Sequence, residues 1–525
     1  MKYYAIHTHL HCSHEPTASI GSHMSHCKEL GIEYMWTTEH DVRMGTKKLA
    51  IPVFRFPKKE LFVTFENGTK AGFKEEEGNS GIYAFAEEEK GISLLLSAQR
   101  EKQESIVFET SGKRHCDPLF SHLTVTLEGS AEVQIKGQVC VEFILSRQAP
   151  SYEQARLCYV IGDIPLKKEG EIVQYLPFPE QKDGLYTFPL FKDVEEDIGG
   201  LDNALCGIRL SVKNGAALRF LSFSFFRELN FEEVRQEQIK LAKKLGEKWG
   251  VTAFVGFEIT EAGQHKNCFS TKVPVIDRVA LNHQVTNEQA IEHVKKYGGI
   301  FSWNHPFSSC AKLGKNKEEF FEELAARLIQ ERVYGASLME VGFPIGRDGF
   351  DAKDYFRLWD RLSGSGIMIT GNGDSDNHHA ADAGWICGNN FCIFAGLYDD
   401  EPPTEENFVK AFRRGSVWGG NPVLIKNLSF GTGKKPQGSL IRGGQVCVEF
   451  DATDIKCGGY AVCISNGKEV KRINIENGAV SGKWNLSCEQ KYNFARVEIY
   501  NEENLLIAFS NPIYLVEKNT EIEER

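Results

Sequence analysis

The sequence lacks several features that would place the protein in a special class. Its 14 cysteines form no CxxC pair and no regular array, so neither a zinc ribbon nor a disulfide framework is indicated. No apolar run approaches the roughly 18 residues of a transmembrane helix, and the opening MKYYAIHTHLH lacks the apolar core of a signal peptide. No Gly-rich phosphate loop follows a strand, and no G-x-S-x-G elbow occurs. These absences argue against a membrane partner, NTP-driven chemistry and a serine hydrolase.

Basic residues are also fewer than acidic residues. Lys+Arg 61 against Asp+Glu 72 gives a net charge of −11, so no nucleic-acid partner is expected. The rest of the composition, with 41% hydrophobic residues, is typical of a folded chain, and 525 residues predict about three or four folding units. The cysteines lie mostly in apolar stretches, which favours buried thiols in a reducing compartment. A cytoplasmic location is therefore expected.

Histidine, in contrast, is concentrated at one end of the chain. Seven of the 15 histidines fall within the first 40 residues, namely His7, His9, His11, His14, His23, His26 and His40. Imidazole is the commonest side-chain ligand for first-row transition metals, so this concentration indicates a metal site.

Changes in the predicted secondary-structure pattern along the chain indicate its domain organisation. Residues 1–46 read as strand, helix and strand, and helices alternate with strands over 230–425. The first of these helices is predicted over 231–249, and the next opens with a capping box at Thr286 and Gln289. Residues 47–229 consist of short β-type runs separated by Gly, Pro, Asn and Asp, which is typical of a sandwich or jelly roll. A further all-β stretch covers 426–515, and 516–525 is a charged tail. The alternation predicts an α/β barrel of parallel βα units, interrupted by a jelly-roll-like insertion and followed by a C-terminal β-sandwich.

Metal-ligand side chains follow the predicted strands in order. His7 and His9 alternate along the first strand, so they project from the same face. His40, Glu258, His305 and Asp376 with His378 lie just past later strand ends, which converge on one face of a β/α barrel. The pattern therefore predicts a metal-binding active site. His11, His23 and His26 are expected to be solvated or to support the ligands.

These residues occur in motifs that resemble a known group of enzymes. The motifs are His7-Thr8-His9 with Ser13, Thr38-Glu39-His40-Asp41, Gly256-Phe257-Glu258, Asn304-His305-Pro306 and Ser375-Asp376-Asn377-His378. Together they resemble the motifs of the PHP (polymerase and histidinol phosphatase) metallohydrolases. Gly263-Gln264-His265-Lys266-Asn267 is similar to an element of the carbaryl-hydrolase-like branch. The resemblance covers about 1–45 and 230–515, and it implies a distorted (β/α)7 barrel.

The resemblance also implies a ligand set for two or three divalent metal ions. His7, His9 and Asp376 would hold the first metal, Glu258 would bridge two metals, and His265 and His305 would complete the second. His40 and His378 would serve a third metal, together with either His14 or Glu15. A mixture of imidazole and carboxylate suits zinc, manganese or iron.

The metals imply a hydrolase in which a bridging hydroxide is the nucleophile, with Glu258, Asp376 and His378 as catalytic residues. The expected reaction is cleavage of a phosphoester in a small molecule, with sugar-containing molecules among the candidates. A carbamate, ester or amide hydrolase is the alternative, and a degenerate barrel that only binds carbohydrate or acts as a scaffold is the alternative from another class. Arg43, Arg347 and Glu340 are candidate substrate contacts. No oligomeric state is indicated.

Overall fold

The structure is a computed structural model of the chain. It describes residues 1–12, 19–41, 51–55, 62–64, 70–75, 83–88, 91–109, 123–147, 153–194, 203–227, 231–260, 265–277, 285–308, 316–342, 349–373, 375–378 and 391–522. The chain divides into two compact units. The first unit comprises Met1–His11, His23–Val42 and Ala242–Arg525, and the second comprises Cys12–Ser22 and Arg43–Leu241.

The described residues of the first unit form three sheets. With strands numbered in chain order, the eleven-stranded sheet contains β1 (Lys2–Leu10), β2 (Tyr34–Thr37), β17 (Thr252–Val255), β23 (Cys392–Leu397), β24 (Val417–Gly420), β27 (Leu440–Arg442), β29 (Gly459–Ser465), β30 (Lys468–Asn474), β32 (Tyr492–Asn501), β33 (Leu506–Ser510) and β34 (Ile513–Val516). The five-stranded sheet contains β18 (Phe257–Ile259), β19 (Lys266–Phe269), β20 (Ile300–Trp303), β21 (Leu338–Glu340) and β22 (Thr370–Asn372). The four-stranded sheet contains β25 (Asn427–Thr432), β26 (Lys435–Pro436), β28 (Gln445–Thr453) and β31 (Val480–Ser487).

The side chains of Thr286, Asn316, Asp351 and Thr404 cap the helices that follow them. The bounds of the α-helices are α1 (Ile20–Leu30), α2 (Leu190–Asp193), α3 (Phe231–Trp249), α4 (Asn287–Lys296), α5 (Lys317–Gln330), α6 (Ala352–Gly364) and α7 (Glu405–Arg414). The capping box predicted at Thr286 and Gln289 is confirmed, because both reciprocal hydrogen bonds are present at the start of α4. Among the described residues, no helix has both the length and the apolar character needed to cross a bilayer.

The predicted distorted (β/α)7 barrel is wrong. Strand accounts for 45% of the structure and helix for 22%, and the main sheet runs in the order β17-β2-β1-β23-β24-β33-β32-β29-β30. Its strands β17, β2 and β1 are parallel, but β23 pairs antiparallel with β1, from Lys2 opposite Leu397 to Ile6 opposite Ile393. In the second sheet β18, β19 and β20 are antiparallel neighbours. Helix–strand alternation predicted the elements, but it does not determine which strands pair.

The main sheet also continues past the boundary that the sequence analysis placed after residue 425. β24 pairs antiparallel with β33, and β33 pairs with β32. The strands near the end of the chain therefore belong to the same sheet as β1. Buried side chains of β33 and β32, such as Phe509 and Tyr500, share a core with Trp359 of α6.

Two isolated bridges join the eleven-stranded and five-stranded sheets. Leu10, the last residue of β1, bridges Asn377, and His40, which follows β2, bridges Glu258 in β18. These bridges bring the C-terminal ends of β1 and β2 next to Glu258 and to the loop after β22. Because the predicted ligands follow these strands, the two junctions gather them in one place.

The second unit is built from two seven-stranded sheets. One contains β4 (Phe62–Thr64), β5 (Lys70–Glu75), β8 (Gln103–Glu109), β10 (Gln138–Arg147), β11 (Gln154–Gly162), β12 (Ile172–Pro177) and β15 (Asn203–Lys213). The other contains β3 (Ile51–Arg55), β6 (Tyr83–Glu88), β7 (Gly91–Ser97), β9 (Leu123–Glu132), β13 (Gln181–Lys182), β14 (Leu185–Phe188) and β16 (Ala217–Arg227). Alternate residues of β10, Val139, Val141 and Phe143, are fully buried and share one core with Val125 and Leu127 of β9. The two sheets thus pack face to face.

Candidate metal centre

The end of β1 supplies two histidines to a buried group of ligand atoms. His9 and His11 are fully buried, and their Nε2 atoms lie 3.1 Å apart. Oδ1 of Asp376 is 3.2 Å from Nε2 of His9 and 3.0 Å from Nε2 of His11. We call His9, His11 and Asp376 the first group.

Backbone hydrogen bonds hold Asp376 in place opposite β1. The amide of Asn377 donates to the carbonyl of His9, and the amide of His11 donates to the carbonyl of Asn377. Asp376 itself has a φ of 49°, in the left-handed region that non-glycine residues rarely adopt. Strained backbone of this kind persists where surrounding contacts fix it, and it is concentrated at functional sites.

The second group consists of His40, Glu258 and His265. The amide of Glu258 donates to the carbonyl of Glu39, which aligns β18 with the residues after β2. Oε2 of Glu258 then lies 2.6 Å from Nδ1 of His40 and 3.1 Å from Nδ1 of His265.

The carboxylate of Glu258 also reaches the first group through its other oxygen. Oε1 lies 3.3 Å from Nε2 of His9 and 3.7 Å from Nε2 of His305, and it accepts a 2.8 Å hydrogen bond from Nδ2 of Asn304. Glu258 is fully buried. One carboxylate therefore faces histidines on both sides, which is the position of a residue that bridges two cations.

A third group consists of His11, His40 and His378. The ring of His11 stacks with the rings of both His40 and His378, at centroid distances of 4.2 and 4.1 Å, and the centroids of His40 and His378 are 5.8 Å apart. In each of the three groups the ligand atoms lie within 4.8 Å of one another. His11 belongs to the first and third groups, and His40 to the second and third.

Buried acceptors orient the histidine rings. Oε1 of Glu340 lies 2.7 Å from Nδ1 of His9, which places the proton of that ring on Nδ1 and leaves the Nε2 lone pair facing the first group. Oε1 of Glu39 lies 3.7 Å from Nδ1 of His11. Glu340, a candidate substrate contact in the sequence analysis, thus contacts a ligand candidate and also accepts a hydrogen bond from the backbone amide of His305.

The electrostatics favour ionised carboxylates in this buried site. Burial on its own would raise the pKa of Glu258, but the charges of His265 and His40, with hydrogen bonds from His265 and His305, hold that pKa well below its usual range. Asp376 and Glu340 are also buried, and both lie beside His9. A buried set of ionised carboxylates and imidazoles of this kind could hold metal cations that balance its charge.

The structure places His7 differently from the sequence prediction. Its Nε2 lies 2.8 Å from Oγ of Ser375, and among the described residues it joins none of the three groups. Burial and the nearby His23 and His9 lower the pKa of His7 well below its usual value, so it is neutral. His7 therefore supports the loop that carries Asp376, and the pair brought together at the end of β1 is His9 and His11.

His11 is the residue that the sequence analysis overlooked. Because strand side chains alternate with a period of two, His7, His9 and His11 share one face, and the pattern alone does not say which two of them meet the other ligands. His305 lies outside the three groups, although it is near Glu258. The predicted residues His14, Glu15, Arg43 and Arg347 lie outside the described residues.

The spacing of the ligand atoms fits divalent transition metals. Ligand atoms about 2.1 Å from one ion lie roughly 3.0–3.5 Å from each other in octahedral or tetrahedral coordination. The three distances within the first group are 3.0, 3.1 and 3.2 Å. A single proton can occupy only one of these three contacts, whereas one cation satisfies all of them. The nitrogen and oxygen donors suit zinc, manganese or iron.

The ligand candidates differ in exposure within the part of the chain that the structure describes. The side chains of His265 and His378 are 22% and 20% exposed, whereas those of His9 and Glu258 are completely buried. The second and third groups therefore each include a partly exposed histidine.

Comparisons with known proteins do not identify the chain. No family model matches it, and no curated protein matches it. The solved structures that align include a family 12 xyloglucanase from Bacillus licheniformis in complex with ligand, at 8% identity over 34% of this chain and 100% of that chain, with a TM-score of 0.23. A family 11 carbohydrate-binding module from Clostridium thermocellum, in complex with a β-1,3-1,4-mixed-linked tetrasaccharide, aligns at 12% identity over 31% and 93%, with a TM-score of 0.19. These values are too low to assign a family or a function.

Proposed function

We propose that the protein is a metal-dependent hydrolase whose active site is the buried histidine and carboxylate cluster. The observation that carries this proposal is the position of Glu258, whose Oε1 faces His9 and whose Oε2 faces His40 and His265. A fully buried carboxylate between two sets of imidazoles has no structural purpose that a hydrogen-bonded neutral residue would not serve at lower desolvation cost. The motif resemblance to PHP metallohydrolases supports the same chemistry through these residues.

In this proposal His9, His11 and Asp376 hold one metal, and His40, Glu258 and His265 hold a second. A third metal could bind at the third group, formed by His11, His40 and His378. Bound cations would lower the pKa of water and polarise the oxygen of the bond to be cleaved.

The chain's own residues would orient the metal ligands and exchange a proton with the substrate. Glu340 keeps His9 in the tautomer whose Nε2 has a free lone pair for a metal, and the Asn304 amide restrains Oε1 of Glu258. With no third metal bound, His378, which is partly exposed and whose Nε2 is 3.3 Å from Oδ1 of Asp376, is placed to exchange a proton with a substrate. Asp376 would stabilise the protonated ring.

The substrate proposed first is a small molecule with a phosphoester bond, and carbamates or carboxylic esters are the second class. A screen of aryl phosphates, aryl carbamates and aryl esters, each with Mn²⁺ or Zn²⁺, separates these classes. Glu258→Gln should abolish turnover of whichever substrate is cleaved, while Glu449→Gln on the exposed face of β28 should leave turnover unchanged. A protein that binds metal and cleaves none of the three classes would contradict the proposal.

We also propose that the protein works in a reducing compartment such as the cytoplasm. Cys27, Cys392 and Cys463 are free and buried. Burial raises the pKa of the Cys27 thiol to about 12, so it stays protonated and unreactive. Such thiols behave as small apolar core residues.

A further inference from the structure

A cleft of about 360 Å³ lies at the N-terminal edge of β20, β21 and β22. The residues that precede these strands line it, whereas His305 and Asp376 of the metal centre follow β20 and β22. The two sites are thus at opposite ends of the same strands. Lys295, Arg332 and Arg413 line the cleft, and no described acidic residue does.

A second cleft, of about 700 Å³, adjoins the first and shares Arg332 and Gly366 with it. It adds Arg442, Lys491 and Lys518, with Glu521 as the acidic residue of its described lining. We call the two clefts together the basic cleft. It gathers six cationic side chains against one carboxylate, in a protein whose net charge is −11.

Most of these cations lack a compensating charge. Within the part of the chain that the structure describes, Lys295, Arg413, Arg442, Lys491 and Lys518 have no ion-pair partner within 4.0 Å. Other arginines on the surface of the first unit do have such partners, as Arg357 has Glu318 and Arg414 has Glu401. Like charges that share a concave surface repel each other, and they concentrate anions from solution.

The backbone at the junction of the two clefts is strained. Arg332, Val333 and Tyr334 have φ values of 47°, 50° and 52°, so three consecutive non-glycine residues are left-handed. L-residues adopt this conformation rarely, and a β-branched residue such as Val333 adopts it least readily. Two contacts hold the turn in place. Val333 is fully buried, and the ring of Tyr334 stacks on that of Trp303, with ring centroids 5.4 Å apart. The turn positions Arg332 where it lines both clefts.

Two glycines allow the close approach of the cleft walls. A Cβ on Gly335 would lie 2.7 Å from Nζ of Lys295, so a larger residue there would displace this ammonium group from the strained turn. A Cβ on Gly366 would lie 2.5 Å from the ring of Tyr492, which forms the wall of the second cleft. Both glycines also have positive φ. The shape of the basic cleft therefore depends on specific backbone positions and is more than a chance grouping of surface charges.

We propose that the basic cleft binds an oligophosphate, a small anion with several consecutive phosphate groups, at a site separate from the metal centre. Guanidinium groups form bidentate hydrogen bonds with phosphate oxygens, and ammonium groups add point charges. Two adjoining clefts with cations along both suit a chain of phosphates better than a single one. Carboxylates of an acidic peptide would offer lower charge density to the same groups.

The test is isothermal titration calorimetry of the full chain with sodium tripolyphosphate. Saturable binding with a Kd below about 1 mM is expected. Lys295→Gln with Arg413→Gln should weaken binding by about tenfold or more, since each lost charge-assisted contact is worth that order. Arg332→Gly should weaken it similarly without loss of folding, because glycine suits the positive φ at this position.

Two controls define the site and the ligand class. Lys456→Gln with Lys468→Gln, which removes two exposed charges outside the basic cleft, should leave Kd unchanged. His11→Ala should also leave it unchanged, because the metal centre is not the proposed site. Absence of saturable binding, equal weakening by the lysine control, or loss of binding in His11→Ala alone would overturn the proposal. So would tighter binding of an oligoglutamate peptide than of tripolyphosphate.

Discussion

Nδ1 of His9 lies 2.7 Å from Oε1 of Glu340, a residue 331 positions later in the chain. The contact is fully buried on both sides and directs Nε2 of His9 toward His11 and Asp376. The other oxygen of Glu340 accepts a hydrogen bond from the amide of His305. One carboxylate thus orients the ring of His9 and also holds the backbone of His305, just after β20.

Replacing Glu340 should weaken metal binding without removing a ligand. Glu340→Gln keeps the size of the side chain but weakens the acceptor for His9, and changes to such supporting residues typically cost 10–100-fold in metal affinity. Competition of the purified protein with a chromophoric chelator measures this affinity. Glu322→Gln, on the exposed face of α5, is the matched control and should have no effect. Equal affinities for the wild-type protein and Glu340→Gln would show that the contact does not serve the metal.

His7 and His11 should differ in their effect on metal content. His11→Ala removes a member of two groups, so the protein should contain fewer metal ions per chain. His7→Ala removes a contact with Ser375 but no member of the three groups, so metal content should stay at the wild-type value. Elemental analysis of the three proteins, purified in parallel, checks both statements. Loss of metal in His7→Ala with full content in His11→Ala would support the pair predicted from the sequence.

Removal of metal should destabilise the first unit selectively. All residues of the three groups belong to this unit, and a ligand at 100 times its Kd stabilises the folded state by about 2.7 kcal/mol. Calorimetry with and without chelator should show a lower Tm for one unfolding transition, and Zn²⁺ or Mn²⁺ should restore it. A transition assigned to residues 43–241, expressed separately, should not move. A chelator without effect on any transition would contradict metal binding by the native protein.

Arg496 should be the most sensitive ion-pairing residue of the first unit. Its side chain is 2% exposed, contacts Asp360 of α6, and lies 2.6 Å from Oε1 of Glu498. Arg496→Ala would leave both carboxylates without their cation, which costs about 3–5 kcal/mol in the free energy of unfolding. Arg472→Ala breaks an exposed pair with Glu469 and should cost less than about 1 kcal/mol. Urea denaturation of both variants measures the difference, and similar losses would disprove it.

Much of the local structure could be predicted from the sequence because it depends on neighbouring residues. α3 has the predicted bounds 231–249, and the capping box of α4 involves only Thr286 and Gln289. His40, Glu258 and Asp376 were predicted to lie together, since each follows or ends a strand; the structure places His40 and Glu258 in one group and Asp376 in another, and Glu258 contacts His9 of that other group.

Long-range pairing could not be predicted in the same way. β23 has the sequence CIFAGL and is buried throughout, and a continuous apolar run suits a parallel or an antiparallel neighbour equally. Its antiparallel pairing with β1 follows from tertiary contacts rather than from its own periodicity. The choice between His7 and His11 depends likewise on where Ser375 and Asp376 meet β1, which is a question of register over more than 360 residues.

The position of β1 in its sheet has a consequence for synthesis of the protein on the ribosome. β1 pairs with β2 soon after it is made, but its other neighbour, β23, is about 390 residues later. At roughly 5–20 residues per second, translation leaves that edge of β1 and its histidines unpaired for about 20–80 s. During this interval the nascent chain exposes an apolar strand edge, together with imidazoles that bind metals without their carboxylate partners. Chaperone binding to the first 40 residues, or coexpression with a separate C-terminal fragment, should therefore change the yield of native protein.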